Sequence, residues 1–467
     1  MKSKYKVLAS NTVVFAIGNI LVKLISFFLM PLYTSVLTTE QYGVAELLNN
    51  SIEIVLPIAT LCIVEALYRF AIDENSDHST IFVDALFITI IGDFLVIIGC
   101  LIWFFILHYK YALFFMLLFI TTTFYKLTIQ FARGLGHVKR YSFYGVLNSL
   151  LLIISNVLLL VVFKGGVESY LLSFSIGYGL SGIIAYILSK EYKYVRFNEF
   201  NLVTLKEMLE YSLPNIPNML SWWVNSLSDR YIVLYYWGAS ITGLYTAASK
   251  LPAMINLVTS IFQQAWQYST ATEIDAIDNS KFFSNIFRGY VYFCTFACAG
   301  LLIVNKLICK ILLQSEFYAA WKFVPLLLLA ATFGCISTYF GTFYNAIKNN
   351  KMLMISTIAG AIINFVFNLI LIPKFGGMGA AIATALSYFV IMMIRMFDVC
   401  RFIDITIDFK RFWIQFVSLV VSVIFSCYKG SLSIFVTVLI FIIIALSDIL
   451  LMKRIVRILI KLINKSN

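Results

Sequence analysis

The sequence predicts an all-α polytopic membrane protein of about 14 transmembrane helices, arranged as two pseudo-symmetric six-helix bundles plus two C-terminal helices. Three observations predict it. Apolar stretches of roughly 20 residues or more recur from end to end, the length a helix needs to cross a hydrocarbon core about 30 Å thick. Only 12% of the 467 residues are charged and 61% are apolar, whereas a soluble domain has about 25% charged and 45–50% apolar. The third is the placing of Lys and Arg, which gather in alternate loops.

The expected spans are 10–34, 43–71, 80–107, 111–132, 141–163, 167–189, 211–236, 241–268, 283–310, 320–346, 351–373, 377–398, 411–427 and 431–452. The first follows Lys2, Lys4 and Lys6 and runs to about Tyr33. That is too long for a signal peptide, and no small-residue cleavage site follows, so it reads as a retained helix. With the N-terminus inside, the inner loops hold about three times as many Lys and Arg as the outer ones, as the positive-inside rule requires. Both basic termini then face the cytoplasm. The expected organisation is an N-terminal bundle over 1–190, a cytoplasmic linker over 191–210, a C-terminal bundle over 211–398, and two further helices with a basic tail over 399–467.

Matching loop signals recur in the same order in the two halves. Thr39-Glu-Gln-Tyr-Gly43 has its counterpart in Ile241-Thr-Gly-Leu-Tyr245, and Arg133-Gly-Leu-Gly-His-Val-Lys139 in Lys348-Asn-Asn-Lys351. Lys164-Gly-Gly-Val167 corresponds to Lys374-Phe-Gly-Gly-Met378, and Asn156 to Asn368. Parallel repeats of this kind are a transporter architecture with the substrate site at the repeat interface. The formal net charge of +12 is explained by this topology and does not call for nucleic acid. The eight cysteines lie in or beside apolar runs and read as small buried hydrophobes. No Walker loop, dinucleotide fingerprint or zinc-binding His pair is present, so neither an enzyme, a cofactor nor a metal site is expected.

Ionisable residues at membrane depth carry the functional information, because each costs at least about 2.5–3.5 kcal/mol at a helix centre. Lys23, Glu46, Glu53, Asp93, Asp229, Arg230 and Lys250 lie deep in expected spans. Glu46 and Glu53, seven apart, share one helical face. Two readings stand side by side. The cations line a polar cavity and hold a phosphate or diphosphate, or they form interhelical ion pairs such as Lys23 with Glu53. Arg69 either pairs with Glu65 four residues earlier or guards the inner entrance. Lys126 snorkels to the inner surface. Pro57, Pro214, Pro217, Pro252 and Pro325 fall inside expected spans, where proline can mark a hinge. Asn215, Asn218, Asn225, Gln263, Gln264 and Gln267 either line a sugar path or bind helices together.

The motif series Asn11 to Lys23, Pro31-Leu-Tyr-Thr34, Tyr42-Gly43 and Ala66-Leu-Tyr-Arg-Phe70 with Asp73 continues in the second half. There it reads Leu213-Pro214, Asp229-Arg230-Tyr231, Gly243-Leu-Tyr245 and Ala248-Ser-Lys250. In order and spacing it resembles the polysaccharide or O-antigen flippases of the Wzx type. These belong to the superfamily that also holds multidrug and toxin extrusion transporters and lipid II flippases. The resemblance spans essentially the whole chain. It implies two six-helix bundles in a V, and a substrate of undecaprenyl-diphosphate-linked oligosaccharide moved to the outer leaflet of the bacterial inner membrane. It further implies alternating access coupled to a cation, H⁺ or Na⁺, with a polysaccharide polymerase and a chain-length regulator as partners. Carried over by motif position, Arg69, Arg230 and Lys250, with Lys23, would hold the diphosphate. Glu46, Glu53, Asp93 and Asp229, by their depth alone, are expected as cavity acids and candidate ion-coupling groups. The family often has arginine where lysine stands here, and lysine lacks bidentate geometry. A drug or metabolite antiporter of the same fold is the alternative reading. A membrane polymerase or ligase fits less well, because no sizeable extramembrane loop is available for catalysis.

Overall fold

The computed structural model describes residues 27–73, 76–273, 279–347, 351–428 and 430–447. Lys23, most of the first expected span and the basic tail lie outside the described residues. The chain divides into two compact units, Met1–Leu227 and Ser228–Asn467.

In the first unit, α1 (Met30–Val36) leads through extended Leu37 into α2 (Thr39–Ala59). A capping box starts α2. The Thr38 hydroxyl accepts from the Gln41 N–H, and the Gln41 side chain accepts from the Thr38 N–H, both at 3.1 Å. Two otherwise orphaned donors at the helix start are thereby satisfied. α2 ends at Ala59 and α3 (Ile63–Ala71) leaves at 68° to it. The expected single helix over 43–71 is thus a broken span. Pro57 inside α2 supplies no N–H, and Leu61 and Cys62 take φ of 52° and 54°.

α4 (His78–Phe105), α5 (Ala112–Gly134), α6 (Val138–Asn156) and α7 (Gly166–Leu188) follow, and α6 runs on as a π-helical turn, Val157–Val162. Asp77 caps α4, accepting from the Ser79 N–H and the Thr80 hydroxyl. α5 packs on α3, α4 and α7, and α6 on α7. Gly92 of α4 meets the end of α2, where an added Cβ would overlap the backbone carbonyl of Ala59. Gly92→Ala is therefore expected to cost about 1–3 kcal/mol as overpacking, read as a lower apparent melting temperature in detergent. Gly99→Ala, on the same helix with nothing within 4 Å, should leave that temperature unchanged or raise it.

The linker after α7 is packed rather than loose. Its 3₁₀ turns, Glu191–Tyr194 and Phe197–Glu199, and α8 (Leu202–Ser212) lie against α3, α4 and α7. Tyr194 meets His78 and Phe131 edge-on, and Phe200 packs on Phe87. Asp84 of α4 accepts the Asn201 N–H at 3.1 Å and so ties the linker to α4.

α9 (Asn215–Ser249) crosses from the first unit into the second and turns at Gly238, where φ is 78° and only glycine is unstrained. The second unit continues with α10 (Ala253–Glu273), α11 (Asn279–Leu312), α12 (Val324–Ala346), α13 (Lys351–Phe375), α14 (Gly377–Val399), α15 (Phe409–Ser426) and α16 (Ser431–Ser447). α14 packs along both α12 and α13, and α11 touches α12, α15 and α16. Gln263 binds Tyr290 and Thr338 at 3.2 and 3.1 Å, so it holds α10 to α11 and α12. Among the described residues, nine helices are long and apolar enough to cross a membrane, and the bent pair α2–α3 makes a tenth. The other four expected spans correspond to 10–34, to polar α9 and α10, and to the 17 described residues of α16. The protein is a multi-pass, all-α membrane protein.

Candidate functional site

Each unit carries a polar spot that holds a basic side chain. In the first it is a cavity of about 420 Å³ at the break between α2 and α3. Leu56, Pro57, Thr60 and Cys62 line it from the break, with Val64 and Glu65 from α3. Tyr125, Lys126, Ile129 and Gln130 come from α5, and Tyr141, Ser142, Gly145 and Asn148 from α6. Tyr178 and Met219 complete it. Non-helical backbone at membrane depth is tolerated where protein or a polar cavity satisfies it, and this break faces such a cavity.

Lys126 is the cation of this cavity. Its ammonium lies 3.8 Å from Glu53, both side chains being partly exposed. Arg133 stands one turn beyond Gln130. Its guanidinium lies 4.2 Å from the Tyr68 ring and 5.3 Å from the Tyr141 ring, and it donates to Gln130 at 3.4 Å. The sequence reading placed Lys126 at the surface. The spacing of Lys126, Gln130 and Arg133, at i, i+4 and i+7 on one helical face, was the signal that could have found the group. A long, half-exposed ion pair is worth only about 0.2–1 kcal/mol. A double-mutant cycle of Lys126→Met and Glu53→Gln on apparent stability should accordingly give a coupling below about 1 kcal/mol. A coupling of several kcal/mol would make the pair a structural clasp, not a cavity cation.

The other first-unit candidates are dispersed. Arg69 is exposed in the last turn of α3, and among the described residues no ion pair joins it to Glu65. Glu46 is buried and accepts the hydroxyls of Tyr42 at 3.1 Å and Tyr170 at 2.9 Å, with Tyr33 packed on Tyr170. It belongs to an aromatic cage between α2 and α7, while Glu53, two turns on, turns to α5. Asp93 accepts the Thr123 hydroxyl at 2.8 Å between α4 and α5.

Among the prolines, Pro57 does lie inside a helix, at the break. Pro217 is in the first turn of α9, Pro325 starts α12, and Pro214 and Pro252 precede α9 and α10. At a helix start the missing N–H has no intrahelical partner to lose. These four therefore mark helix beginnings and not mid-span kinks.

The second unit brings Asp229, Arg230 and Lys250 to one corner. The turn at Gly238 folds the two limbs of α9 so that residue 229 meets Tyr245 and residue 230 meets Ser249. Asp229 is buried and accepts the Tyr245 hydroxyl and, at 2.8 Å, the backbone N–H of Arg230. Arg230 donates through Nη2 to Ser249 at 3.1 Å. Lys250 follows Ser249 directly, in the turn between α9 and α10. Trp237 secures the fold-back by donating to the Ile372 carbonyl at 2.7 Å. Arg230 and Lys250 are both half-buried, and guanidinium and ammonium groups suit the oxyanions of a phosphate ester. Among the described residues no group of His, Cys, Asp and Glu could hold a metal ion.

The fold is that of a polytopic helical membrane protein with known structural neighbours. It is similar to the lipid II flippase MurJ in an inward closed conformation, with a TM-score of 0.69 and 15% identity, over 95% of this chain and 100% of that one. It is also similar to a multidrug resistance transporter of the MATE family, of the MOP superfamily, in an inward-facing conformation. There the TM-score is 0.64 at 14% identity, over 81% of this chain and 95% of that one. The sequence matches the family described as "Polysaccharide biosynthesis protein" over residues 8–267, more than half of the 467, and the chain belongs to that family. A probable low-salt glycan biosynthesis flippase of Haloferax volcanii is 24% identical over 272 residues, 57% of this chain. The match spans 57% of that relative's length.

Proposed function

We propose that this protein is a flippase that carries undecaprenyl-diphosphate-linked oligosaccharide from the cytoplasmic to the outer leaflet of the bacterial inner membrane, with both termini in the cytoplasm. The observation that carries the reading is Arg230, half-buried and donating to Ser249 next to Lys250 in the chain, within a membrane bundle of the polysaccharide biosynthesis family. Charged side chains at membrane depth are expensive and mark substrate or ion paths. Arg230 and Lys250 hold the diphosphate, and the sugars follow through polar surroundings. Alternating access is driven by a coupling cation, H⁺ or Na⁺. Glu46 is the group that takes the proton, because its two phenol partners suit either protonation state. The work is transport, not catalysis, and a polymerase and a chain-length regulator act on its product.

The test is reconstitution into vesicles with a lipid-linked oligosaccharide in the membrane. A membrane-impermeant glycosidase added outside should reach the glycan faster in vesicles containing the protein. Equal access in protein-free vesicles, together with efflux of a cationic dye by the same preparation, would replace this reading with the drug-antiporter one.

A further inference from the structure

The second unit holds another cavity, of about 330 Å³, between the first turns of α11 and the start of α15. Its polar groups are Arg288 and Asn285 from α11, and Thr406, Asp408, Arg411 and Gln415 from the α15 side. The wall is built. The Thr406 N–H donates to the Ser284 hydroxyl at 2.8 Å, and the two hydroxyls lie 3.0 Å apart. Gln415 donates to Ser447 of α16 at 2.8 Å, which anchors the far side. Buried Phe287 and Phe412 form an apolar floor.

We infer that this cavity binds the phosphate of an anionic phospholipid headgroup. Two guanidinium groups, of Arg288 and Arg411, and one carboxylate, of Asp408, line it. Asp408 accepts the Arg411 backbone N–H at 3.1 Å and pairs with its Nε at 3.1 Å. The two terminal nitrogens of Arg411 are left without a partner among the described residues. Guanidinium nitrogens in that geometry fit phosphate oxygens as a fork. A lipid is favoured over free phosphate because α15, which walls the cavity, is itself long and apolar enough to cross a membrane. Its Phe409, Trp413 and Ile414 stand 48%, 39% and 45% exposed on its other faces, a surface that acyl chains cover. Basic pockets between transmembrane helices recognise lipid headgroups on this principle. The inference is independent of the transport reading, since it concerns a resident lipid and a different set of cations.

Native mass spectrometry of the full chain with phosphatidylglycerol or phosphatidylcholine tests it. The wild type should retain phosphatidylglycerol and not phosphatidylcholine. The double variant Arg288→Gln/Arg411→Gln should retain about tenfold less, the loss expected when two charge-assisted bonds at an exposed site go. Asp408→Asn keeps a capping residue at the start of α15 and removes the countercharge, so it should raise retention several-fold. Equal retention by the double variant, or weaker retention by Asp408→Asn, would overturn the proposal. Displacement of the lipid by inorganic phosphate at equal concentration would also overturn it, by assigning the cavity to a free anion.

Discussion

Replacing Arg230 and Lys250 together by alanine is expected to lower polysaccharide export about 100-fold or more, with the protein still present in the membrane at wild-type levels. The magnitude follows from the bonds at stake. A hydrogen bond to a charged group contributes about 1.5–3 kcal/mol, so two such groups on a diphosphate contribute about 3–6 kcal/mol, and each 1.4 kcal/mol is tenfold. Each single alanine variant should lose roughly the square root of the double effect. Arg230→Lys keeps the charge but not the planar fork, so its loss should be smaller than that of Arg230→Ala. The measurement is surface polysaccharide in a strain lacking the native gene, normalised to membrane protein by immunoblot. Normal export by the double variant would remove these two residues from the site. Asp229 is a control of another kind. It is buried against Tyr245, so Asp229→Ala should reduce protein level along with export.

That corner was partly readable in the sequence. Asp229, Arg230 and Lys250 stood out because charge at membrane depth is expensive, and Gly238 lies in the gap expected between two spans. What the sequence could not say is that Arg230 reaches Ser249, since that contact depends on how the chain folds back at Gly238. The first-unit cavity was harder to read. Leu61 and Cys62 adopt left-handed backbone although neither residue type favours it, so no local signal separated α2 from α3 except Pro57. Without the break the cavity has no wall, and Lys126 looked like an interfacial lysine. Glu46 and Glu53 share a helical face, but two turns of rise, about 10 Å, hand them to different neighbours. Sequence periodicity gives the face a residue occupies and not the helix it meets. Helix class was readable for the opposite reason, because bilayer thickness imposes length and polarity one span at a time.

Glu191 yields the second large effect, and its sign is set by where its proton sits. It lies in the 3₁₀ turn after α7, outside the membrane spans, fully buried, and neither carboxylate oxygen has a hydrogen-bond partner among the described residues. Burial pushes its carboxyl up from the usual 4.5 to about 9. Between those two values the unfolded chain has released the proton and the folded chain keeps it. Stability contributed by this group is therefore fully present below about pH 4.5 and declines as pH rises, with the loss complete above about 9. At pH 7 the cost is about 3 kcal/mol from the linkage relation. Glu191→Gln removes the titration while keeping the shape. The variant should accordingly melt above the wild type at pH 8 and match it near pH 5, in apparent melting temperatures of detergent-solubilised protein. Because the turn packs on α4 and α7, the wild-type decline should appear as loosening of the linker first, with faster proteolysis between Lys190 and Lys206 at alkaline pH. If wild type and Glu191→Gln keep a constant offset from pH 5 to pH 9, the carboxyl is ionised in the fold and is held by a partner that burial alone does not supply.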